Sequence, residues 1–127
     1  MRFLLDTHTL LWWFAADPAL SRRAVRVIED AANELFVSAA SAWEMAIKNR
    51  AGRLHAQFLL DRFEHQLTEK GIFALPISLD HAVRAGALPE HYRDPFDRML
   101  VAQAQAEDLA ILSNDASFDH YGVRRVW

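Results

Sequence analysis

Four short apolar runs, Phe3 to Leu5, Leu35 to Val37, Ile72 to Leu75 and Leu109 to Leu112, recur along the chain with helical-period segments between them. Runs this short and unbroken suit strands buried on both faces. Strands separated by helices need right-handed crossovers, which implies a mainly parallel sheet with helices on both faces. The first helix is read at residues 9 to 15. A second, capped by Ser21, would place Ala24, Val25, Ile28 and Ala31 or Ala32 on one face. Ser38 or Ser41 opens a third, running to about Gly52. A fourth covers residues 57 to 70, with Leu59, Phe63 and Leu67 on one stripe and Gly71 as its stop. Ser78 caps a short helix through Ala85, Asp94-Pro95 starts a long one to about Asp108, and Val123 to Trp127 is an additional edge-strand candidate. The expectation is an α/β fold over residues 1–127, one domain with a central sheet of four to five strands and no internal repeat.

Composition narrows the function. With 127 residues, 52% of them hydrophobic, the chain can bury a real core. It has no cysteine, which excludes disulfides, thiolate zinc sites and cysteine nucleophiles. Fourteen basic residues against 17 acidic ones give a net charge of −3, so nucleic acid cannot be bound by bulk charge and would need a local site. Twelve of the fourteen are Arg, the residue suited to bidentate phosphate contacts. The apolar start is split by Asp6, Thr7, His8 and Thr9, and neither piece reaches the length of a signal core or a membrane span. A soluble, cytoplasmic protein without membrane contact is expected.

In a parallel α/β sheet, ligands sit beyond the C-terminal strand ends. Four acids fall there: Asp6 after the first strand, Glu44 inside the helix after the second, Asp97 in the first turn of the long helix, and Asp115 after the fourth strand. Three have ordinary structural readings. Ser41-Ala42-Trp43-Glu44 fits a capping box, Asp94-Pro95-Phe96-Asp97 a capped helix start, and Asp115 a turn. Asp6 follows a buried strand directly and is read as having no capping duty, so its desolvation calls for a cation or donors. Four carboxylates converging on one edge repel one another unless a cation holds them. Hard oxygens without Cys, and without His at ligand spacing, suit Mg²⁺ or Mn²⁺ rather than zinc.

The segments that carry these acids resemble a known family. They are Leu4-Leu5-Asp6-Thr7-His8-Thr9-Leu10-Leu11-Trp12-Trp13; Ser38-Ala39-Ala40-Ser41-Ala42-Trp43-Glu44 with Ile47-Lys48 and Gly52-Arg53-Leu54; Leu75-Pro76-Ile77; Arg93 to Ala104; and Leu112-Ser113-Asn114-Asp115 with Phe118 and Tyr121. Their order along the whole chain is similar to that of PIN-domain ribonucleases of the VapC toxin type, from bacterial type II toxin-antitoxin pairs. The resemblance implies a metal-dependent endoribonuclease with Asp6, Glu44 and Asp97 as its core acids and Asp115 as a fourth. Mg²⁺ or Mn²⁺ held by these carboxylates would activate a water for in-line attack on a phosphodiester, leaving 5′-phosphate and 3′-hydroxyl ends. It also implies an RNA substrate, a cognate antitoxin packing into an apolar groove near the first helices, and a homodimer. One of Trp12 and Trp13 would then be exposed.

Around the acids, Thr7 and Asn114 are candidates to bond the carboxylates or a metal-bound water. Lys48, Arg50, Arg53, Arg93 and Arg98 lie near them in sequence and are candidate RNA contacts. The six histidines show no ligand spacing and are read as structural. The alternatives are a metal-dependent phosphatase and a non-catalytic module that binds RNA or a partner. A haloacid-dehalogenase-like phosphatase needs a second Asp where His8 stands, and a phospho-receiver needs a Lys beyond the last one here, Lys70. The presence of all four acids disfavours a purely binding role.

Overall fold

A computed structural model of the protein describes residues 1–91 and 93–127. Each apolar run becomes a strand: β1 (Arg2–Leu5), β2 (Glu34–Ser38), β3 (Ile72–Leu75) and β4 (Ala110–Leu112), with a two-residue β5 (Arg125–Val126) at one edge. Among the described residues all five pair in parallel, in the order β3-β2-β1-β4-β5. The intervening helices are α1 (Thr7–Phe14), α2 (Arg22–Glu29), α3 (Ala39–Arg50), α4 (Gln57–Leu60), α5 (Phe63–Glu69), α6 (Leu79–Ala87) and α7 (Pro95–Glu107). A 3₁₀ turn spans Ala116–Tyr121.

Strand alternation splits the apolar residues between two layers. Phe3, Leu5, Leu35, Val37, Ala110 and Leu112 face one core together with Leu10 and Leu11 of α1, Ala24 and Ile28 of α2, Met45 of α3, Leu59 and Leu67. Leu4 and Ile111 face the other, against Leu100, Val101 and Ala104 of α7 and Phe118. Both layers are needed because the central strands are apolar on each face, and each fully buried Leu contributes roughly 1.5–3 kcal/mol.

Several boundaries differ from the sequence reading. The first helix begins at Thr7, and Asp6 is its N-cap, accepting the Thr7 amide at 2.7 Å. Asp6 therefore does have a capping duty, because β1 passes into α1 without a connecting loop. Ser21 caps α2 as expected, but Ala31 and Ala32 lie beyond the helix and are exposed. The segment 57 to 70 is two helices. Arg62 adopts a left-handed conformation (φ 55°) between them, and the Gln66 side-chain amide donates to the carbonyls of Phe58, Leu59 and Asp61 that the break frees. The bend lets Leu59 and Leu67 bury in the same core.

The topology sets the position of the site. From β1 the chain winds outward to β2 and β3 through α1 to α5, then returns through α6 and α7 to β4 on the other side of β1. The direction reverses between β1 and β4, and the crevice beyond their C-terminal ends is the expected ligand position. Among the described residues no helix is long and apolar enough to cross a membrane.

Candidate active site

The crevice is a pocket of about 430 Å³ lined by Asp6, His8, Trp12, Glu44, Lys48, Asp94, Asp97, Asn114 and Asp115. All four acids singled out in the sequence reach it, each from a different segment. A larger cavity, about 550 Å³, lies at the opposite end of the strands around Met1, Arg2, Asp108 and Arg124. It gathers one carboxylate and no convergent catalytic set.

Asp6 is buried (8% exposed) and anchored by two donors, the Thr7 amide on Oδ1 and the Ser113 hydroxyl on Oδ2 at 2.7 Å. Ser113 follows β4 directly, and β4 is held beside β1 by the Asp6 amide and the Thr9 hydroxyl, which both donate to the Leu112 carbonyl. Burial pushes the Asp6 carboxyl up, opposed by Ser113, the nearby His8 and the Thr7 amide, while Glu44 reinforces the rise.

Ser38, not Ser41, caps α3, accepting the Ala40 amide at 3.0 Å. Glu44 is thus past the first turn, and the capping-box reading of Ser41 and Glu44 does not hold. Its Oε1 lies 2.7 Å from the Thr7 hydroxyl, which is also 2.9 Å from Ser41 Oγ. With one proton to give, Thr7 donates to the carboxylate and accepts from Ser41. Lys48 holds Oε2 at 2.6 Å.

Asp94 caps α7 through the amides of Phe96 and Asp97, with Pro95 at the first helical position. Asp97, one turn in, is pushed up from 3.8 to about 7, chiefly by burial and then by Asp94, Asp6, Glu44 and Asp115. Asp115 accepts the Ser117 amide at 2.9 Å, so it caps the 3₁₀ turn while facing the pocket.

The neighbouring candidates divide. Thr7 bonds Glu44 directly, and Asn114 lines the pocket while remaining exposed. Lys48 is in the pocket, whereas Arg50, Arg53 and Arg93 are exposed and do not line it. Arg98 does not line the pocket either. Its guanidinium donates to the carbonyls of Ala85, Leu88 and Pro89, closing the C-terminal end of α6 against α7.

His8 was expected to be structural, yet it lines the pocket and its ring sits 5.8 Å from that of Trp12. The strand stops at Leu5, so the turn into α1 brings it to the acids. The sequence reading gave Ser113 no role and Ser41 only that of a helix cap. Ser113 was accessible to the rule that residues just after a strand face the site, but Ser41 was obscured by its resemblance to a cap. Trp12 and Trp13 are both partly buried against the core, and Trp43 on α3 is the exposed tryptophan, at 64%.

Five carboxylates, two of them buried, surround one ammonium, and their hard oxygens suit a divalent cation such as Mg²⁺ or Mn²⁺. Among the described residues no three His, Cys, Asp or Glu side chains stand in a ligating arrangement. Asp6 and Glu44 direct their oxygens to Ser113, Thr7 and Lys48, and Asp97 faces the negative charge of Asp94, Asp6, Glu44 and Asp115. The residue types and their electrostatic demand fit the ion, while the closing of the shell requires side-chain movement.

A parallel sheet whose switch point gathers four acids from separate segments in one crevice defines an α/β domain with an acidic site. The PIN domain family matches residues 3–123. Ribonuclease VapC22 of Mycobacterium tuberculosis is 33% identical over 113 residues, covering 88% of this chain and 85% of that protein. Two solved structures share the fold. VapC20 of Mycobacterium tuberculosis, described as a sarcin-ricin loop cleaving toxin, aligns with a TM-score of 0.73 at 15% identity over 98% of both chains. VapBC2 of Rickettsia felis, bound to a promoter DNA fragment, aligns with a TM-score of 0.71 at 15% identity, covering 99% of this chain and 98% of that one. The chain belongs to the PIN-domain family and is of the VapC type.

Proposed function

We propose that this protein is an endoribonuclease, the toxin of a type II toxin-antitoxin pair, acting in the cytoplasm as one domain over residues 1–127. The observation that carries the reading is the meeting of Asp6, Glu44, Asp97 and Asp115 in one pocket at the switch point between β1 and β4. PIN-domain nucleases of this type depend on a divalent metal, and here Asp6, Glu44 and Asp97, with Asp115 beside them, would hold Mg²⁺ or Mn²⁺. When bound, that ion supplies Lewis-acid activation of water and charge stabilisation at the scissile phosphate.

The chain's own residues do the positioning. Ser113 and the Thr7 amide fix both oxygens of Asp6, and the Thr7 hydroxyl fixes one oxygen of Glu44, so two buried acids on different elements keep a set separation. Asp97 is held at the start of α7 with its carboxyl pushed up to about 7, and a bound cation would favour its charged form. Exposed Arg53 and Arg93, outside the pocket lining, are available to phosphates farther along the RNA. The VapBC complexes among the structural neighbours support an antitoxin partner, and a homodimer follows from the family resemblance.

Incubating the protein with a structured RNA and Mn²⁺ or Mg²⁺ tests the reading. Internal cleavage leaving 5′-phosphates, lost in EDTA, is the expected result. Hydrolysis of para-nitrophenyl phosphate alone, or RNA cleavage undiminished by EDTA, would refute it.

A further inference from the structure

Lys48 supplies the ammonium among the described residues lining the acidic pocket. It lies one turn after Glu44 on α3, and its Nζ is 2.6 Å from Oε2, with the two side chains 26% and 7% exposed. The other oxygen of Glu44 is taken by Thr7. Both oxygens of this buried carboxylate are therefore engaged by strong donors. Thr7 is fixed at the start of α1, but Lys48 has a flexible four-carbon stem that reaches the pocket mouth. Oε2 is thus the oxygen of Glu44 that can be freed without unmaking the fold.

We propose that Lys48 is a built-in competitor of the divalent cation. It neutralises Glu44 until the cation takes Oε2, and its released ammonium then meets a phosphate of the RNA. The inference rests on the nuclease reading and adds an order to it, cation before RNA. The geometry favours this role over that of a passive helix pair. An exposed i, i+4 pair contributes only about 0.3–0.5 kcal/mol, but this one covers an acid 5% exposed at the centre of a like-charged pocket. One cation removed from such a pocket leaves a stronger demand for another.

The test is Mn²⁺ binding, read by electron paramagnetic resonance on EDTA-stripped protein without RNA. Lys48→Met keeps the apolar stem and removes the charge, and Lys48→Gln repeats the change with a polar end. Arg50→Met makes the same charge change on the same helix outside the pocket. The expected result is Mn²⁺ affinity at least about tenfold higher in both Lys48 variants, equivalent to 1.4 kcal/mol, with Arg50→Met close to wild type. In EDTA the Lys48 variants should also melt lower than wild type, and Mn²⁺ should close that gap. At saturating Mn²⁺, their KM for RNA should rise and its salt dependence fall by about one counterion. Equal Mn²⁺ affinity in Lys48→Met and Arg50→Met, with wild-type RNA cleavage intact, would overturn the competition alone. An unchanged KM would overturn the handover to RNA. Failure of the wild type to bind Mn²⁺ would overturn the nuclease reading as well.

Discussion

Replacing Asp97 by Asn should stabilise the protein while removing its activity. The carboxyl titrates at about 7 instead of 3.8, with burial as the first cause and four neighbouring carboxylates behind it. A raised acid pKa means that the folded state binds more protons than the unfolded state between those values, so stability falls as pH rises through the window from about 4 to 7. At about 1.4 kcal/mol per unit, the full destabilisation above neutrality is roughly 4 kcal/mol. The side chain is partly exposed, and screening reduces this to ~2 kcal/mol. Asn also forfeits the favourable charge in the first turn of α7, about 0.5 kcal/mol. The net expectation is a gain of ~1.5 kcal/mol near pH 8, a rise of about 4–8 °C in Tm. Near pH 5 the folded wild type keeps its proton, and the variant's advantage should shrink by about 1 kcal/mol. Urea unfolding of both proteins in EDTA at the two pH values measures this. An advantage independent of pH, or a variant less stable than wild type near pH 8, would refute the electrostatic account of the pocket.

Asp6→Asn should lower RNA cleavage by at least about a thousandfold, while circular dichroism shows the fold retained, because Asn also caps helices well. Thr7→Val removes the hydroxyl that fixes Glu44 and should weaken Mn²⁺ binding about tenfold, measured by the same resonance titration. Arg98→Ala frees the carbonyls at the end of α6 and should destabilise by about 1.5–3 kcal/mol in urea, with no change in the salt dependence of RNA cleavage. Leu112→Ala, in β4 at 0% exposure, should cost about 2–5 kcal/mol, and a loss below 1 kcal/mol would contradict the packing of that face.

The strands were legible because burial on both faces leaves an unbroken apolar run, a signal that does not depend on the neighbours. The helix over residues 57 to 70 was misread because its apolar stripe runs straight through the break. Periodicity records which residues are buried, and Leu59 and Leu67 are buried on either arrangement. The left-handed Arg62 and the Gln66 amide that stabilises the bend are tertiary choices with no distinctive local residue such as Gly or Pro. Arg98 shows the same limit for side chains. Next to Asp97 in sequence it looks like a phosphate contact, yet its length lets it turn to the carbonyls around residues 85 to 89. His8 went the other way, since ligand spacing is a property of one helix or strand and this pocket is assembled from four segments.

The acid surplus also changes meaning once the site is placed. Setting aside Asp6, Glu44, Asp97 and Asp115 leaves fourteen basic residues against thirteen acids, so the net charge of −3 resides in the pocket rather than on the general surface. A polyanion is repelled by that pocket as it stands, and Lys48 offsets only one of its carboxylates. A bound divalent cation changes the local charge by two, which makes affinity for RNA a function of the metal rather than of the protein's overall composition. Salt and metal should therefore not be independent variables. RNA affinity measured in Mn²⁺ should exceed that in EDTA at every ionic strength, by a margin that narrows as salt screens the carboxylates. A margin unaffected by salt would place the effect of the metal outside electrostatics, in a change of fold that the anchored Asp6 and Glu44 argue against.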